Sequence, residues 1–159
     1  MTKAELAVQT RDHLNKYIAA ADQKASILLT GQLAFLGLTA TAAKGIVNTT
    51  GDALYWFSLG TAVAGIIAAG LAIVVIYPRT PSPDKGFIFW GNIMAHDSPE
   101  EFQAAFDNFS ESDVDGEVVT QNYMLAKVAD KKYGYLRWSL RATILMILLA
   151  SIGGGLYVT

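Results

Sequence analysis

The chain has 159 residues, of which 52% are hydrophobic and only 16% charged, and its net charge is −2. Soluble domains carry about 25% charged residues, so the three apolar blocks of this chain favour a small all-α polytopic membrane protein. The charge balance excludes a global basic field for nucleic acid. The lack of cysteine excludes disulfides, thiolate catalysis and cysteine-ligated metals. The polar N-terminus is not that of a secretory signal peptide.

The first predicted element is an amphipathic helix at residues 3–25, which continues into a membrane span without a proline. Its apolar residues recur at spacings of three, four and eight, as on one face of a helix: Leu6, Leu14, Tyr17, Ile18 and Ala21. We expect this face to pack against another helix. A helix lying flat on the membrane is the alternative, although its polar face mixes both signs of charge.

Two antiparallel spans follow at about residues 25–43 and 53–77, joined by the short polar turn 44–52. Gln32 lies at membrane depth in the first span and should therefore face another helix. The second span carries small residues four apart, which let two helix backbones approach closely: Gly60 and Ala64, then Gly65 and Ala69. Three prolines then end this helix: Pro78, Pro81 and Pro83.

A polar segment at residues 84–116 separates the second span from the last element. It opens with an apolar patch, Phe87–Trp90 with Ile93. Ser98-Pro99-Glu100-Glu101 is a strong helix start, because serine caps a helix N-terminus and acids favour the positive end of its dipole. The short helix after it carries Phe102, Phe106 and Phe109 on one side. We interpret these aromatic residues as the core of a small domain, with a docking surface for a protein partner as the alternative.

The last element is predicted as one helix from about residue 117 to 157, whose final part is the third span. Three consecutive glycines, Gly153–Gly155, are expected to fray or bend its far end. Lysine and arginine are concentrated before the first span and between the second and third, which places the N-terminus and the 78–137 segment in the cytoplasm. The predicted organisation is a cytoplasmic helix at 1–25, a hairpin of spans at 26–77, a cytoplasmic segment at 78–137 and a third span at 138–159.

The sequence carries no signature of an enzyme. The two histidines, His13 and His96, lie in different predicted elements without metal-binding spacing, and no phosphate-cradling glycine loop or nucleophile elbow occurs. The adjacent acids Glu100 and Glu101 are explained by their place at a helix N-terminus. We therefore expect a non-enzymatic protein with no metal and no cofactor.

Charged residues near the predicted membrane surface are the candidate ligand-binding residues. A cationic cluster precedes the third span, and its simplest role is contact with anionic lipid and the setting of topology. The sharper hypothesis is an anion-binding pocket where this helix meets the predicted helix at residues 3–25. Two cationic side chains can together hold a phosphate group. Alternatively, the charged residues of the helix at 3–25 simply pair with the helix that leads into the third span. The candidate ligand-binding residues are Asp22, Lys24, Lys127, Asp130 and Lys131.

Several short motifs, taken in their order, resemble the transmembrane effector family of the Pycsar antiphage systems. The family's Asp-x-Lys-Ala motif falls on Asp22, Lys24 and Ala25, and its basic helix falls on Lys127, Lys131 and Lys132. Further matches extend the resemblance over nearly the whole chain: Ser26–Leu29, Tyr77-Pro78, Phe89–Ile93 ahead of Ser98–Phe102, and Tyr133.

This resemblance implies a bacterial defence effector in the inner membrane. It implies that a partner cyclase makes a cyclic pyrimidine mononucleotide, cyclic CMP or cyclic UMP, and that the effector responds by compromising the membrane. Because three spans enclose no wide pore and the small residues of the second span favour helix association, our leading hypothesis is an oligomer whose spans rearrange on ligand binding. The alternative is a membrane adaptor that holds a protein partner through its cytoplasmic aromatic patch.

Overall fold

A computed structural model describes residues 1–43, 52–78 and 85–158. These residues form helices and contain no strand, which confirms the all-α class. Three of the helices are long and apolar enough to cross a membrane, as predicted, and two of them extend well beyond the length a bilayer requires. The helices are α1 (Lys3–Ala43), α2 (Ala53–Ile76), α3 (Trp90–Ile93), α4 (Pro99–Asp107) and α5 (Glu111–Val158).

Helix α1 is continuous over 41 residues, so the predicted junction of amphipathic helix and first span is confirmed. Its apolar face was predicted only in part. Leu14, Ile18 and Ala21 lie on the buried side, whereas Leu6 is 48% exposed and Tyr17 is 57% exposed. The buried side advances by steps of three and four along the helix, and the two exposed residues each lie one position off it.

Helix α2 begins and ends close to its predicted bounds. Asp52 is its N-cap, and Tyr77 is its C-cap, donating its backbone N–H to the carbonyl of Ile73. The helix stops there because Pro78 has no N–H to continue the hydrogen-bond ladder. Most of the predicted turn at 44–52, and the prolines at 81 and 83, lie outside the described residues.

Helix α5 differs from its prediction at both ends. It begins at Glu111 rather than near residue 117, because Ser110 and Asp113 form a reciprocal cap. The Asp113 carboxylate accepts from the Ser110 N–H at 3.1 Å, and the Ser110 hydroxyl accepts from the Asp113 N–H at 3.4 Å. At the other end the helix continues to Val158, so the expected fraying at Gly153–Gly155 is wrong. Helical backbone satisfies its own polar groups, which favours helix in lipid even through glycine.

The chain divides into two compact units. The polar unit comprises residues 1–19 and 78–131, and the membrane unit comprises residues 20–77 and 132–159. In the polar unit the Phe87 ring lies 4.3 Å from that of Phe109 and 5.6 Å from that of Phe102, measured between ring centroids. This packing confirms the predicted aromatic core for these three rings, whereas Phe106 is 57% exposed and Trp90 is 63% exposed.

The centre of the membrane unit is built from the small residues of α2. Ala64, Gly65 and Ala69 are all buried. A Cβ added at Gly65 would meet the Leu36 side chain of α1 and lie only 2.9 Å from the sulfur of Met146 of α5, so side chains of both neighbouring helices pack against α2 at this glycine. These contacts join helices of one chain, so these residues no longer argue for contacts between copies.

Candidate functional site

The membrane unit contains one buried ion pair among the described residues, and it joins α1 to α5. The ammonium group of Lys132 donates a hydrogen bond to Oδ1 of Asp22. The Lys132 side chain is only 4% exposed, whereas that of Asp22 is 36% exposed. Ala21 and Ala25 of the same helix are both fully buried and form a small apolar cluster with Val75. A charge this deeply buried depends on its partner, because desolvation penalises an unpaired ion.

Lys132 also binds the end of the second span. Its ammonium donates to the carbonyl of Val75 at 2.6 Å. Val75 is in the last turn of α2, where carbonyls lack an intrahelical partner and the helix dipole favours a cation. Lys132 therefore ties all three long helices together at one point.

The depth of this junction follows from the length of α2. Its 24 residues give a length of roughly 36 Å, against about 30 Å for the hydrocarbon core of a bilayer. Val75 is near one end of α2, so the ion pair lies close to the level of the lipid headgroups. Charges are far less costly at this depth than at the bilayer centre.

Lys24 lies beside the ion pair. Its ammonium is 5.8 Å from the centroid of the Tyr133 ring, a cation–π contact between α1 and α5. Two of the predicted ligand-binding residues, Asp22 and Lys24, thus both contact α5, and through the adjacent residues Lys132 and Tyr133. This arrangement matches the alternative in which the charged residues of α1 pair with the last helix, α5.

The other three predicted residues, Lys127, Asp130 and Lys131, belong to the polar unit and lie exposed on α5. The Lys127 ammonium is 4.7 Å from the centroid of the Tyr123 ring, one turn earlier on the same helix. No contact in the structure tests whether these residues bind a ligand. They remain predicted ligand-binding residues.

Lys132, which the resemblance places in the family's basic helix, was left out of the predicted ligand-binding residues. The buried side of α5 advances by steps of three and four through Leu125, Val128, Lys132, Leu136, Ser139 and Thr143. Lys132 is a charged residue on this otherwise apolar and weakly polar stripe. That placement was readable from the sequence, because a lysine on a buried stripe requires an acidic partner.

A polar layer crosses the membrane unit about 15 Å further along α1, since Gln32 follows Asp22 by ten residues. Gln32 is 1% exposed, and its amide nitrogen donates to the hydroxyl of Ser139 at 3.1 Å and to that of Thr143 at 2.7 Å. The prediction that Gln32 faces another helix is therefore confirmed.

The direction of the Gln32 amide follows from the hydroxyl protons. Ser139 donates its proton to the carbonyl of Ala68, and Thr143 donates its proton to the carbonyl of Ser139, each at 2.8 Å. Both hydroxyls can therefore only accept from Gln32, which must present its NH2 group to them. Its amide oxygen is left buried with no partner among the described residues, which makes this layer costly.

The polar unit is organised by a carboxylate that holds a turn. One oxygen of Glu117 accepts from the backbone N–H groups of Phe87 at 2.6 Å and Ile88 at 3.1 Å. A Cβ at Gly86 would lie 2.9 Å from the same oxygen, so only glycine leaves room for this approach. These contacts fix the Phe87 ring in the aromatic core.

The polar unit also contains a cluster of charged side chains, Lys85, Asp97 and Glu101, which shifts the pKa of Lys85 and of Glu101. The Lys85 ammonium lies 2.6 Å from a carboxylate oxygen of Glu101 and 3.8 Å from Asp97. Its hydrogen bond lowers the pKa of Glu101, helped by the backbone N–H of Asp97, and the same bond raises the pKa of Lys85. The backbone N–H of Glu101 also donates to the hydroxyl oxygen of Ser98 at 3.2 Å, so Ser98 caps α4 and the predicted helix start is confirmed.

His96 has no predicted role, and the structure places its ring in the aromatic core. The ring centroid lies 5.3 Å from that of Phe102, and both ring nitrogens are buried without a hydrogen-bond partner among the described residues. Within the described ranges no three His, Cys, Asp or Glu side chains are arranged to hold a metal ion.

Comparison with known proteins identifies the family of this chain. The chain matches the model of the Pycsar effector protein domain over residues 6–159. It is 31% identical over 138 residues to the Pycsar effector protein SaPycTM of Staphylococcus aureus, which covers 86% of this chain and 85% of that protein. No solved structure matches it significantly. This multi-pass membrane protein therefore belongs to the Pycsar effector family, whose members act as effectors of antiphage defence.

Proposed function

We propose that the protein responds to a cyclic pyrimidine mononucleotide, cyclic CMP or cyclic UMP, by an oligomeric rearrangement of its spans that disrupts the inner membrane. The observation that carries this proposal is the match to the effector family over nearly the entire chain, combined with three membrane-spanning helices. In this proposal a separate nucleotide cyclase supplies the signal. The effector itself carries out no reaction and needs no cofactor.

The course of two helices supports a mechanical link between signal and membrane. Helix α1 contributes residues 3–19 to the polar unit and 20–43 to the membrane unit, and α5 likewise belongs to both. A continuous helix transmits a tilt or rotation along its axis without a flexible joint. A ligand that favours one packing of these helices therefore shifts the spans, provided that it binds the two states with different affinity.

The contacts at Lys132 suggest which interactions hold the resting bundle closed. This one ammonium group binds Asp22 of α1 and the last turn of α2. A conformational change that separates Lys132 from these partners would expose its ammonium charge at the edge of the lipid core. Water could then enter the helix bundle at that point. In our proposal Lys127 or Lys131, together with Lys24, contacts the nucleotide phosphate, and Asp22 accepts a hydrogen bond from a ribose hydroxyl or a base amino group. Asp130 lies next to Lys131 in the sequence.

Topology is the remaining part of the proposal. Lysine and arginine are concentrated in the polar unit and scarce in the described outer ends of the spans, which favours a cytoplasmic N-terminus in the bacterial inner membrane. This orientation would place the polar unit where a nucleotide signal is made. Accessibility of single introduced cysteines to a membrane-impermeant reagent tests it, since the chain has no cysteine of its own.

The central experiment measures dye and ion leakage from liposomes that carry the purified protein, with a panel of cyclic mononucleotides and oligonucleotides. We expect leakage with one cyclic pyrimidine mononucleotide. The variant Lys131→Ala should lose binding and response, whereas Lys16→Ala, an exposed lysine on α1, should retain both. Leakage from folded protein with purine or oligomeric nucleotides alone would overturn the ligand assignment. A full response from Lys131→Ala would overturn the role of that lysine.

A second candidate function is an adaptor that binds a protein partner. The observation in its favour is at α3: Trp90, its first residue, is 63% exposed, and Met94, its C-cap, is 74% exposed. Phe87, the first residue of the predicted aromatic patch, is instead packed against Phe102 and Phe109. Stoichiometric co-purification of a protein from native membranes, lost in Trp90→Ser and without any nucleotide response, would favour the adaptor.

A further inference from the structure

A pocket of about 490 Å3 lies within the membrane unit, far along the helices from the Asp22–Lys132 pair. Its walls come from the last turns of α1, the first half of α2 and the last turns of α5. They include Leu36, Thr39, Phe57, Thr61, Ala150 and Gly154. The volume is in the range of sites that hold small-molecule ligands.

The walls of this pocket are hydrocarbon, although they contain hydroxyl groups. None of the described lining residues is charged. Thr39 turns its hydroxyl back to the carbonyls of Phe35 and Leu36, both at 3.1 Å, and Thr61 donates to the carbonyl of Phe57 at 2.8 Å. These hydroxyl protons are therefore already used within the helices. The pocket offers methyl and aromatic surface, so it suits an apolar occupant and not a nucleotide.

The surroundings of the pocket decide the class of occupant. All three helices that line it are long and apolar enough to span the membrane, so their outward faces meet lipid chains. A cavity between helices costs free energy in proportion to its volume, because its lining atoms lack contact partners. Tyr157, at the end of α5, lines the pocket and is 66% exposed. An aromatic ring with a polar tip suits the level of the lipid headgroups.

We propose that this pocket binds an acyl chain of a membrane phospholipid, and that the lipid is a bound ligand of the helix bundle. The chain enters between α1, α2 and α5 and completes the packing where the small residues Ala150 and Gly154 leave space. The site differs in chemistry and position from the proposed nucleotide site. Its test therefore does not depend on whether the nucleotide assignment is correct.

The test uses a glycine pair at the end of α5. A Cβ added at Gly154 meets nothing within 4 Å, and Gly154 lines the pocket, so the leucine of Gly154→Leu should fill part of it. Gly155 is the neighbouring glycine, its Cβ would also meet nothing within 4 Å, and it is absent from the described lining. Gly155→Leu is therefore the matched control.

The full-length protein is reconstituted in phosphatidylethanolamine vesicles that contain phosphatidylglycerol with a photoreactive diazirine in the middle of one acyl chain. After illumination, peptide mass spectrometry locates the adducts. We expect adducts concentrated on pocket residues such as Thr39 and Gly154. The total at the pocket should be several-fold lower in Gly154→Leu and unchanged in Gly155→Leu, with both variants shown to be helical by circular dichroism.

Three results would overturn the proposal. The first is labelling spread evenly over the exposed apolar residues of the spans, such as Ile73 and Ile144, with no enrichment at the pocket. The second is a crosslink between two copies of the chain through the pocket residues, with lipid labelling absent there, which would mean that a second copy occupies the groove. The third is equal pocket labelling in both leucine variants, which would exclude the acyl chain from this pocket.

Discussion

Replacing Asp22 by alanine should destabilise the membrane unit strongly, because it leaves Lys132 buried without a counter-ion. The Lys132 side chain is 4% exposed and keeps only the Val75 carbonyl as a hydrogen-bond acceptor among its described contacts. Removing one partner of a buried pair costs about 3–5 kcal/mol. Since Asp22 is 36% exposed, water screens part of the interaction, and we expect the low end, about 3 kcal/mol.

The assay is the free energy of unfolding of the reconstituted protein, followed by circular dichroism as a denaturing detergent is added. The matched control is Asp12→Ala on the same helix. The Asp12 side chain is 56% exposed, and its Oδ1 lies 3.6 Å from Nε of Arg11. This control should change stability by less than about 0.5 kcal/mol.

A double variant isolates the pair itself. Asp22→Ala with Lys132→Met contains no buried charge, so it should be no less stable than Asp22→Ala alone, although Val75 loses its donor. The reasoning is refuted if Asp22→Ala behaves like Asp12→Ala, or if the effects of the two single changes simply add.

Three further outcomes are expected. Gln32→Leu should change the free energy of unfolding by less than about 1 kcal/mol, because it removes an unsatisfied amide oxygen. Ser139→Ala should cost about 1–3 kcal/mol, because it leaves one buried amide N–H of Gln32 unpaired and removes the hydroxyl's bond to the Ala68 carbonyl; the reverse order would contradict the hydroxyl assignment. Gly65→Leu should destabilise the bundle or change its packing by overfilling, seen as a lower unfolding temperature, and an unchanged temperature would show that the helices are further apart. The Lys85–Glu101 bond should stabilise the polar unit between the ordinary pKa values of the two groups, 4.5 and 10.5, because the folded pKa is lowered for Glu101 and raised for Lys85. This contribution is lost as pH falls through the lowered pKa or rises through the raised one, so unfolding curves of Lys85→Met and the parent should converge at both extremes.

The sequence was most informative where a local rule applies. The absence of proline between residues 3 and 43, and the apolar content beyond residue 25, determine a single helix that enters the membrane. Ser98 was identifiable as a cap because its hydroxyl, and the acids that follow, suit a helix N-terminus. The start of α5 was predicted near residue 117 instead of at Glu111. Ser110 and Asp113 have the spacing of a cap.

The partners of the charged residues were decided by the tertiary structure alone. Periodicity shows which residues of a helix share a face, but it does not show how far one helix is shifted along another. That shift brings Lys132, and not Lys127 or Lys131, to Asp22, and it brings Ser139 and Thr143 to Gln32. The sequence by itself thus determined the helices, their class and the membrane. The close approach at Gly65 and the burial of the Lys132 ammonium depend on the packing of all three long helices, because desolvation and hydrogen bonding act only once the chain is assembled.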